Sequence, residues 1–156
     1  MTDRDRTTRR GRLGLPLLAI IGLALLAVPR VVLHDLGLLD GNPLLNALLV
    51  FVPPIVWIVV ALVVRVPKPF LTILAIGVCY GILLAIAHQL LWDIAFAGDQ
   101  PSLGGNLAGL DPAAQALILR SFGAVSSLVV GAGVGVIAGL VAWAIQALTR
   151  RARRAS

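Results

Sequence analysis

The sequence predicts an all-α polytopic membrane protein, a bundle of four transmembrane helices with both termini on the cytoplasmic side. Three observations carry this. Hydrophobic residues make up 59% of the 156-residue chain and mean hydropathy is +0.98, more apolar surface than a soluble domain has polar groups to cover. That surface is gathered into four runs, 13–33, 44–64, 70–92 and 122–148, each long enough to cross a hydrocarbon core of about 30 Å as a helix of roughly 20 residues. The charges between the runs are segregated by sign. A closed β-barrel needs short segments of alternating polarity, and continuous Leu, Val, Ile and Ala runs exclude it. Each span must satisfy its backbone groups within its own helix, because lipid offers no partner.

The segregation of charge sets the orientation. Arg4, Arg6, Arg9, Arg10 and Arg12 precede the first span, Arg65 and Lys68 separate the second and third, and Arg150, Arg151, Arg153 and Arg154 follow the fourth. The two opposite connections hold Asp35, Asp40, Asp93, Asp99 and Asp111, with only Arg30 and Arg120 basic nearby. Basic flanks stay inside, which places both termini in the cytoplasm and the chain in a cell inner membrane. The net charge of +6 is therefore a topology signal that also attracts anionic lipid headgroups. Nucleic-acid binding is not expected, since the arginine clusters abut spans and lack interleaved aromatics. All seven acidic residues are aspartate and Lys68 is the single lysine, a bias that hints at a GC-rich bacterial genome.

Taken in order, residues 1–12 form a polar, basic segment expected to be a disordered cytoplasmic tail. The first span begins like a secretory signal but runs into Pro29-Arg30-Val31-Val32-Leu33 instead of a small-residue cleavage site, and is read as a retained helix. Pro29 should kink it near its outer end by removing the hydrogen bond to Leu25 O, leaving Arg30 to snorkel toward headgroups. An outer loop from His34 leads to Asp40-Gly41-Asn42-Pro43, a helix start with proline at the first helical position. The second span carries Pro53 and Pro54 near its centre. They deprive the Leu49 and Val50 carbonyls of donors, so a bend or opening is expected, either as a packing kink or as a transporter-like helix break.

Arg65-Val66-Pro67-Lys68-Pro69 is too short to do more than join antiparallel neighbours. The third span carries small residues at Gly77, Gly81 and Ala85, and His88 and Trp92 continue that face at 100° per residue. Residues 93–111, with several glycines and no periodicity, are expected to form a long outer loop, a tether or a lid. In the fourth span Gly123, Ser127, Gly131, Gly135 and Gly139 recur at every fourth position, a glycine-zipper ridge that lets two backbones approach in lipid. The third and fourth spans are expected to pack through these ridges. Residues 150–156 form a second basic tail, and 13–149 a single transmembrane domain.

Candidate chemistry is sparse. Setting span centres near Leu23, Pro54, Gly81 and Val134 places Arg30, Asn46, His88 and Ser127 about 10 Å from the midplane in the outer leaflet. They would form either a polar pocket for a small polar or anionic solute or a set of packing contacts, with His88 bonding Ser127 across the two ridges and Arg30 within reach of Asp93. His34-Asp35, and His88 with Asp93, are the available base–carboxylate pairs. Two histidines without spaced cysteines or glutamates match no metal motif, the lone Cys79 forms no disulfide, and no cofactor is expected. Small multidrug exporters of this size depend on a membrane-embedded carboxylate, and no carboxylate falls within the four runs. Packing signals outweigh chemical ones. The expected function is a non-catalytic bundle that assembles with itself or with another membrane protein; the alternative is a small-solute transporter or channel using the polar layer and the Pro53-Pro54 break.

Overall fold

The computed structural model describes residues 13–39, 41–97 and 100–155, without the side chains of the last two. The basic tail 1–12, Asp40, Gly98, Asp99, Ser156 and the Arg154 side chain lie outside the described residues. All regular structure in the rest is helical: α1 (Leu17–Leu25), α2 (Val28–Asp35), α3 (Pro43–Val63), α4 (Pro69–Ala95), a 3₁₀ turn at Gly105–Leu107, and α5 (Pro112–Ala155). With α1 and α2 counted as one span, Leu17–Asp35, four helical segments are long and apolar enough to cross a membrane. The chain is a multi-pass membrane protein by this criterion. The end of the molecule bearing Arg65, Lys68 and Arg150 is called the basic end, and the end bearing Asp35, Asp93 and Asp111 the acidic end.

The helix boundaries depart from the predicted runs for local reasons. The first span starts at Leu17, four residues late, because Gly14 has φ +81° and tucks against Pro67, and extended Pro16 caps the helix. It is then interrupted at Leu26–Ala27. Pro29 does not kink a continuous helix; it occupies the first turn of a new one, α2, where its missing N–H costs nothing. The break has a consequence across the interior. The Ala27 N–H turns to Ala24 O at 3.1 Å, and Leu23 O accepts from the Leu26 N–H at 3.3 Å in place of its usual i+4 donor. The indole of fully buried Trp57 on α3 adds a shorter bond, Nε1 donating to Leu23 O at 2.7 Å, while its ring meets Tyr80 of α4 edge-on at 6.1 Å.

The prolines of α3 do not open the helix. Pro53 and Pro54 both lie inside a helix that runs unbroken from Pro43 to Val63. Proline's fixed φ is itself helical, so the pair removes hydrogen bonds without ending the helix, and Pro53 is buried against the interior. Asn42 Oδ1 accepts from the Leu45 N–H at 3.0 Å and caps this helix.

α4 and α5 make the most extensive contact. They run antiparallel, with Phe70 beside Gly139, Gly77 beside Gly131 and Gly135, and Gly81 beside Ser127 and Leu128. A Cβ on Gly77 would lie 2.5 Å from Gly131 O and 2.6 Å from Gly135 Cα; one on Gly131 would collide with the Gly81 backbone. The two main chains are thus in direct contact, and lipid, which solvates leucine as well as leucine does, leaves such contact as a principal source of helix association. Gly123 is an exception, since a Cβ there would meet nothing within 4 Å. At the basic end Gln146 Nε2 donates to Val66 O at 3.2 Å. The Thr72 hydroxyl sits 2.5 Å from Leu13 O and 2.9 Å from Lys68 O, its single proton serving one at a time. At the acidic end the expected loop is shorter than 93–111, because α4 continues to Ala95 and α5 starts at Pro112, capped by Asp111 Oδ1 at 2.8 Å from Ala113 N.

These contacts grade the ridge. Gly131→Ala must push two backbones apart and is expected to lower stability in detergent by about 1–3 kcal/mol. Gly135→Ala, whose Cβ would stand 3.1 Å from Gly77 Cα, should cost less. Gly133→Ala, with nothing within 4 Å, should change it by no more than about 1 kcal/mol. Thermal denaturation of the three variants in one micelle checks the order.

Candidate functional site

The first polar cluster is built on the last residue of α2. Along this helix Ala27 and Val31 are buried, and Asp35 follows Val31 by four positions, on the same face. The helix therefore carries a carboxylate into the contact with α4, leaving it 6% exposed. Two histidines are its side-chain partners. His88 of α4 places Nδ1 at 2.7 Å from Asp35 Oδ2, and His34 places its Nδ1 at 3.4 Å from Oδ1. The short contact is a hydrogen bond; the longer one is marginal. His34 is 62% exposed and His88 34% exposed, so the buried carboxyl group stands between an exposed imidazole and a partly exposed one.

Beside the trio lies a recess of about 240 Å³, walled by Gln89, Trp92 and Phe96 from α4 and its C-cap, and by Gly123 and Ser126 from α5. The open space at Gly123 is part of this recess, so its missing side chain keeps a cavity open instead of drawing two helices together. The Trp92 and Phe96 rings stack obliquely at 4.8 Å. Arg120 braces the wall: its guanidinium lies 5.0 Å from the centre of the Trp92 ring and donates to Asp93 Oδ1 at 3.1 Å. Its backbone carbonyl accepts from Gln89 Nε2 at 2.9 Å.

The polar layer read from the sequence is divided. Arg30 Nε donates to Asn46 Oδ1 at 3.3 Å, joining α2 to α3. His88 bonds Asp35 and not Ser127. Ser127, 3% exposed, turns its hydroxyl back to Gly123 O at 2.7 Å within its own helix, a common resting place for serine in an apolar helix. Asp93 pairs with Arg120, so neither His88 nor Arg30 has it as a partner. Pro53 and Pro54 do not line the recess. The expectation that no carboxylate falls within a span is also corrected, since α2 ends on Asp35 and α4 contains Asp93. Asp35 was missed as a buried site residue because a loop was expected to begin at His34. The available signal was the four-residue step from Val31.

With Asp35 Oδ2 accepting from His88 Nδ1–H, the Nε2 of His88 is left as an acceptor. Among the described residues no group of three His, Cys, Asp or Glu side chains is arranged to hold a metal ion. Compared with protein-family models, with curated proteins and with solved structures, the chain has no match in any of the three.

Because the chain has two histidines, ¹⁵N-histidine NMR resolves the site. His88 is expected as the Nδ1–H tautomer in the native protein, and Asp35→Ala should return it to the Nε2–H form that predominates without a partner, with little change at exposed His34.

Proposed function

We propose that the protein is a four-helix bundle of the cell inner membrane, both termini cytoplasmic, that carries out proton-linked transport of a small polar solute through the recess at its acidic end. In this orientation the recess opens outward. The observation that carries the reading is the Asp35–His88 hydrogen bond of 2.7 Å, with the carboxyl group 6% exposed. An ionisable group held inside a membrane segment is costly and marks a pathway or relay by default. A histidine partner gives that carboxyl group a neighbour with which a proton can be shared. No covalent step is involved.

The expected role in assembly drew on the glycine ridge. From Gly131 to Gly139 that ridge is occupied by the chain's own α4, which weighs against its use by a second chain. Transport here does not use Pro53 and Pro54 as an opening. Its parts are a proton-binding pair, a small recess with aromatic and amide walls, and exposed His34 as the contact with water.

Proteoliposomes loaded with a pH-sensitive dye test the reading. They are given a transmembrane proton gradient and challenged with a panel of ammonium, guanidinium, formate and fluoride. Gradient dissipation by at least one of these should exceed that of protein-free vesicles and fall at least about tenfold, a barrier change of about 1.4 kcal/mol, in Asp35→Asn. Rates equal to those of empty vesicles across the panel would overturn it.

A further inference from the structure

The basic end carries a second site, unrelated to the recess. Between the start of α4 and the last turns of α5 is a crevice of about 460 Å³ lined by Lys68, Arg150 and Arg151 on its polar side and by Phe70, Leu71 and Trp143 on its apolar side. No ion pair joins any of the three cations to a carboxylate among the described residues. At the acidic end, by contrast, Arg120 is paired with Asp93. Three positive charges lining one crevice repel one another, and a bound anion relieves this. The crevice floor is fixed: Gln146 in its wall is tied to Val66 O across the helices. A second crevice of about 450 Å³ lies on the other flank of α5, against the end of α3, and shares Gln146 and Arg150 with the first.

The apolar wall identifies the source of the anion. Leu71 and Trp143 are well exposed, Trp143 at 57%, on helices long and apolar enough to cross a membrane. A free phosphate has no use for such a surface, whereas a phospholipid places its phosphate at the cations and its acyl chains along the leucine and tryptophan. Tryptophan is enriched at this depth because its ring is apolar and its N–H polar.

We infer that the crevice between α4 and α5 at the basic end is a binding site for an anionic glycerophospholipid, with Lys68, Arg150 and Arg151 holding the phosphodiester. Arg150, standing between the two crevices, lets a lipid with two phosphates engage both flanks.

The test uses the full chain, delipidated in a neutral detergent and titrated with dioleoyl phosphatidylglycerol, with phosphatidylcholine as the uncharged comparison, and read by native mass spectrometry. Phosphatidylglycerol should be retained preferentially. The triple variant Lys68→Gln, Arg150→Gln, Arg151→Gln should weaken retention at least about tenfold, given roughly fivefold for each basic contact near a surface. Ala147→Phe fills the crevice without changing charge and should also weaken it. Retention unchanged in the triple variant would overturn the site. Retention lost in the triple variant but kept in Ala147→Phe would reduce it to diffuse attraction and overturn it equally. Displacement by excess inorganic phosphate would overturn the lipid assignment.

Discussion

Backbone contact between α4 and α5 is the constraint from which the rest of the structure follows. Gly77 and Gly81 meet Gly131 and Gly135 with no room for a side chain on either helix. Contact this close restricts the register, because sliding either helix by one or two residues would bring leucine or valine against main chain. The register in turn places Gln89 at the Arg120 carbonyl and Arg120 over Trp92 at one end, and Phe70 beside Gly139 at the other. Where the small residues cease, the helices have space between them. At Gly123 that space is the recess.

The remaining helices are attached by side chains that reach backbone carbonyls. Trp57 bonds Leu23 O, Thr72 bonds Leu13 O and Gln146 bonds Val66 O. In hydrocarbon an unmet carbonyl has no water to turn to, so irregular backbone and the side chain that satisfies it occur together. The interruption between α1 and α2 illustrates this. It leaves Leu23 O with a 3.3 Å bond from the Leu26 N–H, and Trp57 adds a 2.7 Å bond that joins the first span to α3. The same interruption lets α2 present Ala27, Val31 and Asp35 to α4.

The two ends use charge in opposite ways. At the acidic end the groups are matched, Asp35 with His88 and Asp93 with Arg120, and the Asp35 carboxyl group is drawn inward beside a small cavity. At the basic end Lys68, Arg150 and Arg151 line one crevice without carboxylate partners among the described residues. Cations beside tryptophan and leucine suit an anion with a hydrocarbon tail.

Much of this was legible in the chain alone. Hydropathy marked the four apolar segments, since burial of about 20 apolar residues in lipid outweighs any local preference, and the four-residue spacing of Gly131, Gly135 and Gly139 marked a ridge on one helix face. Asn42-Pro43 and Asp111-Pro112 marked helix starts, because their capping chemistry is local. What sequence could not supply were partners. His88 was visible as an inward residue, yet whether it met Ser127, Asp93 or Asp35 depends on the relative shift of separate helices, and an error of one turn, about 5.4 Å, exchanges one partner for another. Gly123 belonged by spacing to the ridge and by position to the recess. Periodicity is a property of one helix and is written in its own residues; a hydrogen bond between helices depends on their register, which only packing of the whole chain decides.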